Sequence, residues 1–358
     1  MYKTIIKPIF FKLDPETVHN RILKLGCFLG SNILTRSILK FLFNYENKKL
    51  NSSVMEIKFK NPIGLAAGFD KNAVLTGIIP VIGFGFMEVG SITAEKCLGN
   101  PRPRLFRLPK DNSLVVNYGL CNDGAIAIHK RLKGKRFRIP IGISIARTNK
   151  ALNEQESIDD YTKGFKIMQD IGSYITINIS CPNTLDKKNF CDPLRLDKLL
   201  KELKKYKHNK PILLKIKPDL TEKDIDKLLS IVSKYKFING FIISNLSSKR
   251  NLLNLKTEKH IVNKTTGGIS GFPVKKRSTY LIRYVYKKTK GKYIIIGCGG
   301  VFTAEDAYEK IKAGANLIQL VTGMIYNGPG LIKKINKGLV KLLEKDGFNN
   351  IQQAVGRD

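Results

Sequence analysis

Two hydrophobic patterns run along this chain and change over near Asn51. In residues 1–45 the apolar positions recur at helical spacing. Ile5, Ile6, Ile9, Phe10 and Leu13 form one stripe, Val18, Ile22, Leu23, Leu25 and Phe28 a second, and Ile33, Leu34, Ile38, Leu39, Phe41, Leu42 and Phe43 a third. Asp14-Pro15-Glu16 has the form of an N-cap followed by proline in the first turn, which starts the second helix. Lys and Arg interleave with the apolar positions throughout. Short basic helices with a heavy apolar face either lie on a membrane surface or dock on a neighbouring domain, and periodicity leaves both open.

After Asn51 the pattern becomes short apolar strands alternating with amphipathic helices. The strands are expected at Ile63–Ala67, Gly85–Val89, Ile141–Ile145, Tyr174–Asn178, Ile212–Ile216, Gly240–Ser244, Tyr293–Gly297 and Leu317–Val321. Helical periodicity fills 121–131, 157–171, 195–206, 221–235, 274–289 and 303–313, with a last helix over 330–345. Eight such units predict an α/β fold, a (β/α)8 TIM barrel over residues 51–358 with a small N-terminal helical extension over 1–50; the strand count favours closure over a doubly wound sheet. Chemistry is then expected at the C-terminal ends of the strands.

A chain of 358 residues at 42% hydrophobic composition has material for one large core. Its net charge of +34 suggests an anionic partner. The excess is carried by 49 Lys against 14 Arg and is spread along the chain, which argues against nucleic acid and for a solvated surface with a weak pull toward anionic lipid. No apolar run approaches the length of a membrane span, and the N-terminus lacks the cleavage site of a signal peptide. The spacing of the six cysteines, with no CxxC pair, fits reduced thiols, and four histidines offer little for a metal site.

The candidate chemistry lies at the strand ends. Asn178-Ile179-Ser180-Cys181-Pro182-Asn183-Thr184 follows the fourth strand and places a thiol between two carboxamides. Carboxamides suit a planar ligand with C=O and N–H edges, and an ionised thiol can act as a base; a small buried cysteine is the plainer reading. Gly297-Cys298-Gly299-Gly300 and Val321-Thr322-Gly323 end the last two strands, where barrels commonly hold phosphate, though ordinary tight turns read the same way. Gly64-Leu65-Ala66-Ala67-Gly68-Phe69-Asp70-Lys71 offers small residues for a flat ring and then a cation. Lys215 lies inside an apolar strand, which is costly unless it is paired; beside a flavin it could stabilise charge gained on reduction. Asn245 adds another amide, and 265–271 reads as a flexible polar loop.

With these blocks in place, the chain resembles the dihydroorotate dehydrogenases, and more the membrane-associated, quinone-reducing class. The resemblance rests on Leu13-Asp14-Pro15-Glu16 with His19, the Gly64–Lys71 block, Gly99-Asn100-Pro101-Arg102-Pro103-Arg104-Leu105-Phe106-Arg107-Leu108-Pro109, the Asn178–Thr184 block, Gly267-Gly268-Ile269-Ser270-Gly271, and Gly347-Phe348 through Ala354-Val355-Gly356. It implies non-covalent FMN held by Ala66, Ala67, Gly68, Ser91, Ser144, Asn178, Lys215, Ser244, Gly268, Gly271, Gly299, Gly300, Val321 and Thr322. It implies a pyrimidine held by Lys71, Asn117, Asn178, Asn183 and Asn245, with Cys181 as catalytic base. His19 and Arg107 would line a quinone tunnel under the N-terminal helices. The implied partners are dihydroorotate or a related small molecule, a membrane quinone and an anionic membrane surface, with no nucleic acid. The implied location is peripheral, on the cytoplasmic face of a membrane.

Several positions depart from the family pattern. Cys181 stands where the quinone class usually has Ser, and a Cys there resembles the soluble class. Val116, Leu120, Ser144, Leu246 and Val321 stand where the family has Asn, Phe, Asn, Thr and Tyr, and Asn117 is the candidate to stand in for the amide lost at Val116. These changes raise two alternatives: a related FMN oxidoreductase with another substrate or acceptor, and a non-catalytic membrane-bound flavin-binding module.

Overall fold

The structure, a computed structural model, describes residues 2–150, 152–181, 190–207 and 209–358. Among them, eight parallel strands close into a barrel: β1 (Ile63–Leu65), β2 (Phe86–Ile92), β3 (Ile141–Ile145), β4 (Tyr174–Asn178), β5 (Ile212–Ile216), β6 (Ile238–Ile243), β7 (Ile294–Cys298) and β8 (Leu317–Leu320). They neighbour one another in chain order, and β8 pairs with β1 through Ile318 and Ile63. The fold is the (β/α)8 barrel that the apolar runs predict, and the strand boundaries move by at most three residues. The helical periods also hold: Glu154–Met168, Pro193–Leu203, Glu222–Val232, Lys275–Thr289, Ala304–Lys312 and Leu331–Lys345 carry their apolar stripes inward.

Alternation along the strands builds the barrel interior in layers. The lowest layer is apolar: Phe86, Tyr174, Leu213, Ile242, Ile296 and Leu317 meet Val54 and Phe59 from a hairpin (Ser52–Val54 with Ile57–Phe59) that plugs the base. Two residues further along, the same face turns polar with Glu88, Thr176, Lys215 and Gln319, all buried. That layer is the floor of the functional cavity.

Two elements stand over the strand ends. One is an antiparallel sheet of Leu105–Leu108, Ser113–Val116 and Gly268–Gly271. It corrects the expectation of a flexible loop over 265–271: its second half is a strand paired residue by residue with Ser113–Val116. The other is the N-terminal cap, a π-helical turn (Tyr2–Ile6) followed by α1 (Lys7–Lys12), α2 (Pro15–Ser31) and α3 (Ile33–Phe43). Asp14 caps α2 by accepting from the Thr17 N–H at 2.7 Å. Asn32 caps α3 and marks a 108° bend between the two helices.

Glu16 fixes the cap to the barrel. It is 5% exposed and accepts from Arg104 Nη2 at 2.8 Å and Nε at 3.1 Å, with Arg102 at 3.0 Å. Arg104 also donates to the carbonyls of Leu98 and Asn100, so both charges are well satisfied despite burial. The remaining apolar surface of the cap is not covered. Of 17 large apolar side chains left well exposed among the described residues, ten lie within residues 5–42, Phe41 at 85% and Ile33 at 71% among them.

Candidate active site

Two cavities open above the barrel. The upper-barrel cavity encloses about 1270 Å³, solvent at its mouth included, and the cap cavity about 1170 Å³. The first collects strand ends: Ala66, Ala67 and Gly68 after β1, Ser91 in β2, Asn178 and Cys181 at and after β4, Lys215 in β5, Ser244 and Asn245 after β6, Gly299 and Gly300 after β7, and Val321 and Thr322 after β8. Lys71, Gly271 and His19 also line it. The second lies between cap and barrel and is almost wholly apolar; Ile22, Leu29, Phe43, Leu75, Ile79 and Met324 line it, with Arg107, His19 and Tyr2 as its charged or titratable groups. His19, Phe69, Leu105, Leu114 and Ile325 border both cavities.

The floor is a connected polar network. Lys215, 4% exposed, lies 3.7 Å from Glu88 Oε1 and so does not reach solvent. The other Glu88 oxygen accepts from Thr176 Oγ1 at 2.8 Å and Gln319 Nε2 at 3.2 Å. Above it, Asn178 Nδ2 donates to Ser91 Oγ at 2.8 Å, and Asn245 Nδ2 donates to Asn178 Oδ1 and Ser180 Oγ, each at 3.1 Å. Ser180 Oγ in turn donates to the Lys215 carbonyl at 2.7 Å. The two amides are therefore held in fixed orientations before any ligand arrives. Cys181 follows directly, half-buried on the cavity wall.

A cationic corner faces the cap. Lys71 Nζ lies 3.8 Å from the centre of the Tyr118 ring and 3.4 Å from His19 Nε2. Burial pulls Lys71 down to about 8, against the opposing pull of Cys121 and Glu16. Burial, helped by the Lys71 charge, holds His19 at about 3, so its ring is neutral.

Most positions expected from the sequence reach one of the cavities, and three do not. Asn117 turns away from the upper cavity; its amide donates to Thr266 Oγ1 at 3.0 Å and accepts from Asn100 Nδ2 at 2.9 Å, so it does not replace the amide missing at Val116. Ser144 sits behind Ser91, their hydroxyls 2.8 Å apart, and does not line the cavity. Gly268 is consumed in pairing with Val116 and leaves the wall to Ser270 and Gly271. Asn183 lies outside the described residues. Glu88, Tyr118 and Cys121 escaped the sequence reading. The signal for Glu88 was present: a carboxylate inside an apolar strand, in register with the Lys215 layer.

Comparison with known proteins follows the same lines. The family model for dihydroorotate dehydrogenase matches residues 49–343. The curated protein "Dihydroorotate dehydrogenase (quinone)" of Trichodesmium erythraeum is 38% identical over 99% of this chain and 98% of its own length. The protein of that name from Christiangramia forsetii is 42% identical over 96% and 99%. Among solved structures, the dihydroorotate dehydrogenase of Eimeria tenella in complex with ferulenol superposes with a TM-score of 0.83 at 29% identity, covering 96% of each chain.

Proposed function

Since this chain belongs to the dihydroorotate dehydrogenase family, we propose that it oxidises dihydroorotate to orotate for pyrimidine biosynthesis and passes the electrons to a membrane quinone. The observation that carries the reading is the pair of cavities meeting at His19, one with a polar floor and one apolar and roofed by the cap.

The upper cavity fits the family's flavin, which we take to be FMN. Ser244 Oγ is buried without a hydrogen-bond partner among the described residues and lies in the cavity wall. Space stands open above Gly68, where an added Cβ would meet nothing within 4 Å. Gly300 has φ +71°, and a Cβ there would come within 2.4 Å of Lys275 Cβ, so only glycine lets this backbone sit at the rim. Ala66, Ala67 and Gly68 would carry the ring, Lys215 would lie near it, and Gly299, Gly300 and Thr322 would hold the phosphate. Bound there, FMN would supply two-electron chemistry, accepting from the substrate and passing the electrons to a quinone.

The chain's own groups do the rest. Lys71 offers its ammonium to the substrate carboxylate, and Asn178 and Asn245 meet the polar edges of the ring. Cys181, as thiolate, takes the proton from C5 at Sγ. The electron pair of that C–H bond forms the C5=C6 double bond, the hydride lost from C6 goes to the two-electron oxidant that FMN would supply, and the proton on Sγ passes to solvent. Val116, Leu120 and Leu246 give the cavity an apolar wall, so side-chain recognition rests on Lys71 and the amides. Neither the relatives nor this wall favours another substrate or a non-catalytic role.

We assign the cap to quinone and membrane. The apolar cavity suits a quinone ring and tail, with Arg107, which donates to the Leu13 carbonyl at 2.8 Å, at its polar end. Among the described residues no single helix is long and apolar enough to cross a membrane, and the exposed face of α2 and α3 suits peripheral attachment. The net charge of +34 would favour the anionic cytoplasmic leaflet. The test is direct: purified protein should release FMN on denaturation and form orotate from dihydroorotate with a short-tail ubiquinone as acceptor. Colourless protein that FMN cannot reconstitute would overturn the assignment.

A further inference from the structure

We propose that His19, on the cap helix α2, is a positioning residue for Lys71, so that the cap helps to hold the substrate as well as the quinone. The proposal rests on the reading that Lys71 takes the substrate carboxylate. Its basis is geometric. His19 borders both cavities, and its Nε2 lies 3.4 Å from Lys71 Nζ. A lysine ammonium has only donors, so Nε2 presents its lone pair and the proton of the neutral ring is on Nδ1. The ring is held in that attitude by an edge-to-face contact with Phe69, centroids 5.0 Å apart.

The arrangement fixes an otherwise mobile side chain. Lys71 has the face of Tyr118 on one side and the His19 lone pair on another, and both attract the charged form without forming an ion pair with it. Its charge therefore remains available to an anion entering from the upper cavity. The titratable groups around it are His19 and Glu16 from α2, Arg104 from the segment before Leu105, Tyr118 and Cys121 from the segment after Val116, and its neighbour Asp70. Glu16 is held by Arg104 and Arg102, so it does not compete with the substrate carboxylate for Lys71. A ligand in the cap cavity that moves His19 moves the acceptor of Lys71 with it, and by linkage substrate in the upper cavity must act back on that ligand.

The test uses FMN-loaded full-length protein and orotate, the product, followed by the change in flavin absorbance so that no turnover is needed. His19→Phe keeps a ring on Phe69 and removes the lone pair, whereas His19→Gln supplies a carbonyl acceptor. The Phe variant should bind orotate about tenfold more weakly at pH 7, as for loss of a hydrogen bond to a charged group. Its affinity should also fall away at lower pH than in wild type, because losing the acceptor disfavours the charged Lys71. The Gln variant should recover most of the affinity and the wild-type pH midpoint. Equal flavin content certifies the fold; if the Phe variant loses flavin, His19→Leu replaces it. Orotate affinity and midpoint unchanged in the Phe variant, or lost equally in the Gln variant, would overturn the proposal while leaving the assigned reaction intact. Wild-type protein that does not bind orotate would overturn both.

Discussion

At the scale of single residues, the proposed reaction depends on Cys181 and on the ion pair beneath the cavity. Cys181→Ala should retain FMN and lose about 10²–10⁴-fold in the rate at which dihydroorotate reduces it, the range for a lost general base. Cys181→Ser should keep part of the rate with its pH profile moved to higher pH, since a hydroxyl is a far weaker acid. Full activity in the Ala variant would remove the thiol from the mechanism. Glu88→Gln should leave Lys215 with an uncompensated charge near the flavin and raise its reduction potential by about 30 mV, equivalent to about 1.4 kcal/mol for a two-electron couple. An unchanged potential in redox titration would show that Glu88 serves only packing. Lys215 was legible in the sequence because a lysine in an apolar strand demands a partner. The partner was not named, although Glu88 breaks its own strand in the same way. The error at Asn117 has a different cause: a one-residue step along a strand end reverses the direction of the side chain, and only the pairing of Ser113–Val116 with its neighbours fixes which residue faces inward.

At the scale of elements, the cap does two jobs with two faces. Its inner face buries Glu16 and Val18 and roofs the apolar cavity, while Phe28, Ile33 and Phe41 remain exposed. Replacing those three together by Ser should leave FMN content and reduction by dihydroorotate unchanged. It should remove most of the salt-resistant binding to vesicles containing anionic lipid, because apolar burial supplies that part. Undiminished binding in a sedimentation assay would assign the attachment to charge alone. The helices of the cap were legible from their stripes and from the Asp14 cap. Which face packs and which remains bare was not, because both are apolar and the choice depends on the barrel surface beneath. The antiparallel sheet was missed for a related reason. Its strands have four residues each, and Gly268–Gly271, which pairs with Ser113–Val116 across more than 150 positions of sequence, carries glycines that read locally as a loop.

At the scale of the whole molecule, the barrel was the most legible feature, since eight apolar runs with helical stretches between most of them leave little choice of topology. The polar layer inside it followed from alternation along the strands, but only once closure set which face points inward. The two cavities were legible only through the family resemblance, which implies a tunnel at His19 and Arg107; the local pattern does not show them, because they are bounded by cap, sheet and strand ends brought together from the length of the chain. Their junction at His19 is the centre of the account, and a two-step anaerobic stopped-flow experiment on full-length protein tests it most directly. Mixing with dihydroorotate should bleach the flavin band with formation of one orotate per flavin, and a second mixing with a ubiquinone analogue should restore the band with one quinol formed. Arg107→Ala, which lies on the cap cavity alone, should slow the second step and spare the first. Flavin that dihydroorotate does not bleach, or that recolours at the same rate with and without the quinone, would contradict the assignment of the two cavities to the two halves of one reaction.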